Sequence, residues 1–306
     1  MSDHPEPAAE EPPDLDLARR LVAAQFPQWA DLPVREVELS GWDNRTYRLG
    51  DSLSIRLPRS GFYREQVAKE QYWLPRLARQ LPVPIPRPVA HGAPGLGYPY
   101  EWSVYAWLEG SPATLDRISD PAGFARDVAA FQVALRSCDA SDGPLPGQHN
   151  WWRGAPFEVY ADEAHQALTS LSDLGELSPA EARAAGAILT EATASTWPNP
   201  PVWFHGDVAY GNLLVRDGRL AAVIDFGCSG VGDPACDLVL AWTLLPRTAR
   251  SAYAQTLGLD HDTWARGRGW ALWKALITVA GQRESDPIAA EEARRVVREV
   301  LADPVD

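Results

Sequence analysis

The sequence predicts an α+β chain in two parts, a small antiparallel sheet followed by a mainly helical body. Three observations carry this. Residues 34–57 alternate apolar and polar positions with the period of strands, whereas most patterned stretches from 121 to 301 repeat with the period of helices. Between them, Leu108-Glu109-Gly110 follows an aromatic β-rich run and lets the chain bend, so the boundary is placed there. The third is length: 306 residues suit two folding units of roughly 150 each.

The first fourteen residues, MSDHPEPAAEEPPD, have neither a basic start nor an apolar stretch and read as a disordered acidic tail (1–14), not a signal peptide. Residues 15–26 place Leu15, Leu21, Val22 and Phe26 at helical spacing, and Pro27 ends that helix. Three short strands follow within 34–57, broken at Gly41 and at Gly50-Asp51. A helix is expected over 63–80, with Val67, Tyr72, Trp73, Leu74 and Leu77 as its apolar surface. Proline at alternate positions of PVPIPRP (82–88) makes that segment extended and bars it from a central strand. It reads as a stiff edge connector or as a polyproline ligand. Residues 100–107 form an aromatic strand. Helices are expected at 121–136, 158–172, 179–196, 234–245 and 287–301. Asp286-Pro287 caps the last one, and Ile288, Val296, Val297, Val300 and Leu301 are its expected buried face. A single β island, 202–225, interrupts this helical half.

Composition narrows the function. Lys and Arg number 28 against 41 Asp and Glu, a formal net charge of -13, which argues against a nucleic-acid partner and tilts toward a cationic small molecule. Hydrophobic residues at 45% and charged residues at 23% are ordinary for a globular chain. Three cysteines without a CxxC pair argue against a disulfide framework, and the histidine spacing offers no zinc site. No apolar run reaches the roughly 18 residues of a membrane span. A cytoplasmic protein with no membrane partner is the expectation.

The chemistry concentrates in VWFHGDVAYGNLLVRDGRLAAVIDFG (202–227). Val202–Phe204 is an apolar strand that runs into His205-Gly206-Asp207, and Asp217-Gly218 is a hairpin turn between two further strands. Folding back at that turn brings Asn212 and Asp225 to the open end of the hairpin, with Asp207 on the loop just before it. Mg²⁺ takes oxygen ligands, commonly one or two carboxylates together with phosphate oxygens, and Asn212 and Asp225 suit it. Asp207 is then free to accept a hydroxyl proton. The spacing Asp207-x-x-x-x-Asn212 and the triplet Asp225-Phe226-Gly227 match a kinase catalytic loop and its metal-binding turn. Either element alone is ordinary loop punctuation; their order and spacing together are specific.

On these residues the chain resembles the aminoglycoside phosphotransferase family, a branch of the protein-kinase-like fold. The likeness rests on HGDVAYGNLLV (205–215), VIDFGCSGVGDPACDL (223–238), SGWDNRTYRLG (40–50), RLPR (56–59) and WSVYAWLEG (102–110). It implies a two-lobed fold, with an N-lobe (15–107) that binds nucleotide and a C-lobe (108–306) that carries catalysis and the acceptor. It also implies Mg²⁺, ATP or GTP as donor, and transfer to a small-molecule hydroxyl. By the same likeness Asp207 is the catalytic base, and Asn212 and Asp225 are the metal ligands. Asp233-Pro234 opens the helix behind the catalytic loop, and Asp237 is either a brace for that loop or an ordinary first-turn acid. Gly41 and Asn44 lie in the loop that covers nucleotide in the family, where a plain hairpin turn reads the same. Glu70 matches the acid that pairs with the phosphate-binding cation, with Glu65 as the alternative. That cation is the departure: many relatives carry Lys on this strand, and this chain carries Arg56, a planar fork that also binds phosphate. Arg59 and Arg64 stand nearby. Tyr105 and Trp107, in 105–108, form either the hinge against which a purine rests or a core strand.

The acceptor is less legible. Trp151, Trp152 and Arg153, an acidic helix with Glu158, Asp162 and Glu163, and Trp264, Trp270, Trp273 and Glu284 could hold an amine-bearing sugar, or could be core and solvated face. The expected function is a phosphotransferase for an aminoglycoside or another amine-bearing molecule. A metabolite kinase and a catalytically weak nucleotide-binding pseudokinase are the alternatives. Oligomeric state has no signature.

Overall fold

The computed structural model describes residues 13–37, 41 and 43–303. All but the last two residues of the acidic tail, and Ser40 and Trp42 of the expected nucleotide loop, lie outside the described residues. Helix α1 (Leu15–Gln25) starts where Asp14 accepts from Leu17 N at 2.7 Å, a side-chain cap for a free N–H. A five-stranded antiparallel sheet follows, with β1 (Val34–Glu36), β2 (Asn44–Leu49), β3 (Leu53–Pro58), β4 (Pro88–Gly92) and β5 (Trp102–Ala106) in the order β1-β2-β3-β5-β4. The proline-spaced segment thus leads into an edge strand. Ala18, Leu21, Tyr47, Leu49, Ile55 and Trp102 form a cluster between α1 and one face of the sheet. The other face is met by α2 (Arg64–Leu77). Leu74 and Leu77 of α2 join Ile85, Tyr105 and the residues of the helical body in a second, larger core. Tyr72, expected to be buried, is 52% exposed, and Arg76 stacks on its ring instead.

The body contains α3 (Pro121–Arg136), α4 (Glu158–Asp173), α5 (Pro179–Thr193), α6 (Leu240–Thr243), α7 (Arg247–Leu257), α8 (His261–Gln282) and α9 (Pro287–Leu301). Residues 234–239 form a 3₁₀ turn, not the start of an α-helix, with Asp233 accepting from Ala235 N. The β island is wider than expected. A short strand β6 (Ser111–Pro112) adds to the hairpin of β8 (Leu213–Arg216) and β9 (Arg219–Val223), and β7 (Val202–Phe204) pairs with β10 (Gly230–Gly232). Ile288, expected in the buried face of α9, is 84% exposed. It precedes buried Ala290 by two residues, about 200° round the helix, while Val296, Val297 and Val300 do turn inward.

Helices α7 and α8 are absent from the sequence reading. In α8, residues 265–273 are buried without a break, so it has no polar stripe to reveal its period. Its interior also holds Arg266, Arg268, Gly267 and Gly269, all poor advertisements for a core helix. The glycines serve contact: a Cβ on Gly269 would lie 2.3 Å from Ala192 Cβ on α5, and one on Gly267 would lie 2.7 Å from Leu238 Cβ. Arg266 is wholly buried because Asp233 accepts from its Nε at 2.7 Å and from Nη2, Ser195 from Nη1 and Thr263 from Nη2. Cys138, Cys228 and Cys236 are buried and unpaired. Among the described residues no helix is long and apolar enough to cross a membrane.

Candidate active site

The site is assembled at the open end of the β8–β9 hairpin. Ile224 N donates to Asn212 O at 2.9 Å and closes that end, so Asn212 and Asp225 emerge from adjacent positions across it. Asp207 reaches the same place from the loop after β7. Asn212 Nδ2 donates to Asp207 O at 2.9 Å and to Asp207 Oδ2 at 2.8 Å, which orients the carboxylate and leaves the amide oxygen of Asn212 as an acceptor. Asp225 adopts a left-handed backbone (φ 66°), an uncommon conformation for a non-glycine residue that surrounding contacts must hold.

Two buried groups hold the loop. His205, fully buried, receives Asp207 N on Nδ1 at 3.2 Å and meets Ile224 O with Nε2 at 2.9 Å, a pattern that a neutral ring protonated on Nε2 satisfies. Asp237 accepts His205 N on Oδ2 and Gly206 N on Oδ1, each at 2.7 Å, so of its two sequence readings the brace is the one observed. Burial pushes the Asp237 carboxyl pKa up, while the two backbone N–H groups pull against that. Gly206 (φ 82°) is required here, since a Cβ would lie 2.5 Å from Cys228 O.

Above the hairpin, Arg56 on β3 spans two carboxylates. One end of its guanidinium meets Glu70 at 3.3 and 3.4 Å, and the other donates to Asp225 Oδ1 at 2.9 Å. Glu70, 4% exposed, is therefore the partner, while Glu65 is exposed on the same helix. Burial opposes the Arg56 charge, but Glu70 and Asp225 more than offset it and raise the pKa. Burial alone would likewise lift Asp225; the Arg56 guanidinium, with help from the Gly227 N–H, outweighs it and holds the carboxyl below its ordinary value. Tyr105, 3% exposed, donates its hydroxyl to Glu70, so its ring supports the Glu70–Arg56 pair. Trp107 is half-buried beneath the Arg48 guanidinium, 3.9 Å from its ring, and its backbone N–H donates to Ser52 O at 2.8 Å. A Cβ on Gly41 would sit 3.9 Å from Asp225 Oδ2, which puts that glycine directly over the carboxylate. Asn44, 6% exposed, opens β2 opposite Pro58.

The donor set fits Mg²⁺. Asn212 offers its amide oxygen and Asp225 its second carboxylate oxygen, both hard ligands. Among the described residues no three His, Cys, Asp or Glu side chains cluster as a metal cage, but this cation needs only one or two carboxylates with phosphate oxygens.

Lys69 and Lys274 went unread in the sequence, and Asp43 and Arg153 stood there only within the expected nucleotide loop and the possible acceptor wall. Asp43, held by Gln66 Nε2 at 2.8 Å, has its pKa pushed up to about 6, first by burial and then by the Asp225 charge. Lys69 donates to Gly227 O at 2.5 Å and to Ser229 O at 2.9 Å, and burial lowers its pKa to about 8. Arg153 runs beside the catalytic loop, where a Cβ on Gly206 would lie 3.0 Å from its Cδ, and burial lowers the pKa of Lys274 on α8. Lys69 adjoins Glu70 in sequence, and that adjacency is the signal by which it could have been found; the other three owe their place to distant chain.

Residues 34–270 match the model of the phosphotransferase enzyme family. Among solved structures, the chain is similar to the GDP complex of aminoglycoside 2'-phosphotransferase-IIIa (18% identity, 95% of this chain and 99% of that one, TM-score 0.72). It is also similar to the streptomycin–ATP ternary complex of APH(2")-IIa (17% identity, 96% and 97%, TM-score 0.58). A third likeness is to a macrolide 2'-phosphotransferase from Brachybacterium faecium (25% identity, 93% and 97%, TM-score 0.57). The first two show a shared fold. A comparison of the sequence with curated proteins finds no match.

Proposed function

The chain belongs to the phosphotransferase enzyme family, and from that premise we propose that it moves the γ-phosphoryl of ATP or GTP to a hydroxyl of a small molecule. The observation that carries this is the convergence of Asp207 and Asn212 with Asp225, Arg56 and Glu70 through the bonds described above. Phosphoryl transfer asks mainly for positioning and charge stabilisation, which this set can supply.

In this reading Asn212 Nδ2 fixes Asp207 Oδ2 and leaves Oδ1 to meet the acceptor hydroxyl. The hydroxyl proton passes to Asp207, the acceptor oxygen bonds the γ-phosphorus, and the nucleoside diphosphate leaves with the bridging oxygen. Asn212 and Asp225 would hold Mg²⁺, which supplies positive charge against the phosphate oxygens. Arg56 stays charged beside Glu70 and offers its fork to the same phosphates in place of the usual lysine. Gly41 and Asn44 cover the nucleotide, and the backbone from Tyr105 to Trp107 borders the base. Residues 15–107 serve the nucleotide and 108–306 serve the acceptor, in a cytoplasmic enzyme. The structural neighbours' names point to aminoglycosides and macrolides as acceptors.

The test is transfer of labelled γ-phosphate across pools of small hydroxylated molecules, with Asp207→Ala as control. Label that reaches an acceptor equally well in the variant would remove Asp207 from the mechanism. Nucleotide binding by the wild-type chain without transfer to any acceptor would favour a pseudokinase.

A further inference from the structure

Helix α2 turns a polar stripe toward the catalytic machinery. Gln66, Lys69 and Glu70 stand at i, i+3 and i+4, the spacing of one helical face, and Gln66 and Glu70 are each 4% exposed. A helix packed on a sheet ordinarily presents apolar residues there. In α2 each of the three polar side chains instead reaches a different part of the site. Glu70 holds Arg56 beside Asp225. Gln66 holds Asp43. Lys69 reaches backbone: its Nζ donates to Gly227 O and Ser229 O, two carbonyls of the segment that follows Asp225.

Those carbonyls lie at the end of a 3₁₀ turn, Phe226–Cys228, in which Ser229 N and Ser229 Oγ both donate to Phe226 O, at 3.0 and 2.7 Å. A short helical turn leaves its last carbonyls without partners of its own, and an amine placed at that end satisfies them. Asp225 immediately precedes the turn in its left-handed conformation, so whatever fixes the turn also fixes the direction in which the Asp225 carboxylate leaves the chain. The turn lies directly against α2: a Cβ on Gly227 would sit 2.9 Å from Gln66 Cδ. Farther along α2, Leu74 and Leu77 enter the core, and Trp73 meets Trp203 edge-on at 4.8 Å. Beside Lys69 an open cleft separates the helix from the body, with Glu65, Tyr72, Pro144 and His149 on its walls. The two Lys69 bonds bridge the helix to the body next to that gap.

We propose that Lys69 is a positioning residue for the metal-binding turn: from α2 it caps the turn that follows Asp225, and so keeps the second Asp225 carboxylate oxygen available to Mg²⁺. This rests on the phosphotransferase reading above and adds to it a dependence of metal affinity on the seating of α2. Lys69 and Glu70 are neighbours, so one displacement of α2 breaks the cap and the Arg56 pair together. The amine makes its two bonds in either protonation state, since a neutral amine keeps two N–H groups.

Calorimetry of the full chain at pH 7 measures the affinity for non-hydrolysable ATP and GTP analogues twice, once with Mg²⁺ and once with a chelator in its place. Lys69→Met should weaken binding about tenfold in Mg²⁺, because a turn that loses the equivalent of one hydrogen bond spends about a tenth as much time in the form that takes the metal. Binding in chelator should stay within about twofold of wild type. Hydrogen exchange on the protein without metal or nucleotide follows the turn itself: amides of 226–230 should exchange about tenfold faster in Lys69→Met, with those of α3 unchanged. Lys69→Arg, whose fork can serve both carbonyls, should return both measurements to within about threefold of wild type. A residue that merely stabilised the fold would lower the urea midpoint and leave the two affinities in their wild-type ratio. That ratio in Lys69→Met overturns the inference, as does unchanged exchange at 226–230. Lys69→Gln, too short to serve both carbonyls, carries the same test if Lys69→Met does not fold. A wild-type chain that binds no nucleotide in either buffer overturns the phosphotransferase reading together with this one. A wild-type chain whose binding tightens with Mg²⁺, matched by Lys69→Met, overturns this one alone.

Discussion

Replacing Asp237 with Asn should damage both stability and catalysis, although Asp237 has no proposed contact with substrate. The carboxylate takes His205 N and Gly206 N at 2.7 Å, inside a region where His205 is fully buried. Hydrogen bonds to a charged acceptor contribute about 1.5–3 kcal/mol each. Asn keeps one carbonyl acceptor at neutral strength, worth about 1 kcal/mol, and turns an NH₂ toward the other N–H. One buried donor is then unsatisfied, and two charged bonds exchanged for one neutral bond give a loss of about 2–5 kcal/mol. The loop has no alternative path, because Gly206 is pressed against Cys228 O. Asp207 must therefore move with it, and a displacement near 1 Å costs on the order of a hundredfold in rate. Urea unfolding measures the first effect, and release of nucleoside diphosphate under saturating acceptor measures the second. An Asp237→Asn protein with the wild-type midpoint and a rate within threefold would refute the bracing argument.

Other expectations follow from the same contacts. Asp207→Ala should lower turnover by about 10²–10⁴-fold, the range for a lost general base, with nucleotide affinity by calorimetry nearly unchanged. Arg56→Met leaves Glu70 charged and 4% exposed without its cation; it should destabilise by about 3–5 kcal/mol, and the additional change Glu70→Gln should recover part of that in a double-mutant cycle. Arg266→Met strands Asp233 in the same way, with a loss of similar size in the urea midpoint. Lys69 carries a pH signature. Its pKa falls from 10.5 to about 8 on folding, so below about 8 both states are protonated and the cost of burying the ammonium is present in full. Between about 8 and 10.5 only the unfolded chain holds the proton, so this residue makes stability rise with pH there; the rise from pH 7.5 to 9.5 should be smaller in Lys69→Met.

Much of this protein was legible before any coordinates, and the legible part is local. Helix α3 begins and ends at the residues its periodicity marks, 121 and 136, because Asp120-Pro121 opens it and its apolar stripe runs its length. The β8–β9 hairpin is written in Asp217-Gly218 and two short apolar runs, and that turn alone brings Asn212 and Asp225 to one end. Helix α8 escaped because its burial comes from α4, α5 and α9 on all sides, which erases the amphipathic contrast a sequence can display.

Which polar side chains matter, and in what state, was decided by packing. Glu65 and Glu70 are equally acidic in the sequence; only the docking of α2 under the sheet sends Glu70 to Arg56 and leaves Glu65 in water. Asp43 and Lys69 owe their shifted pKa values to burial beside residues up to 182 positions away. Arg153 comes to lie beside Gly206 only because distant stretches of chain close on one strand end. A turn or a capped helix is specified by neighbours within a few residues. The charge balance of a site is a sum over space, and the chain supplies its terms in no order that its sequence can show.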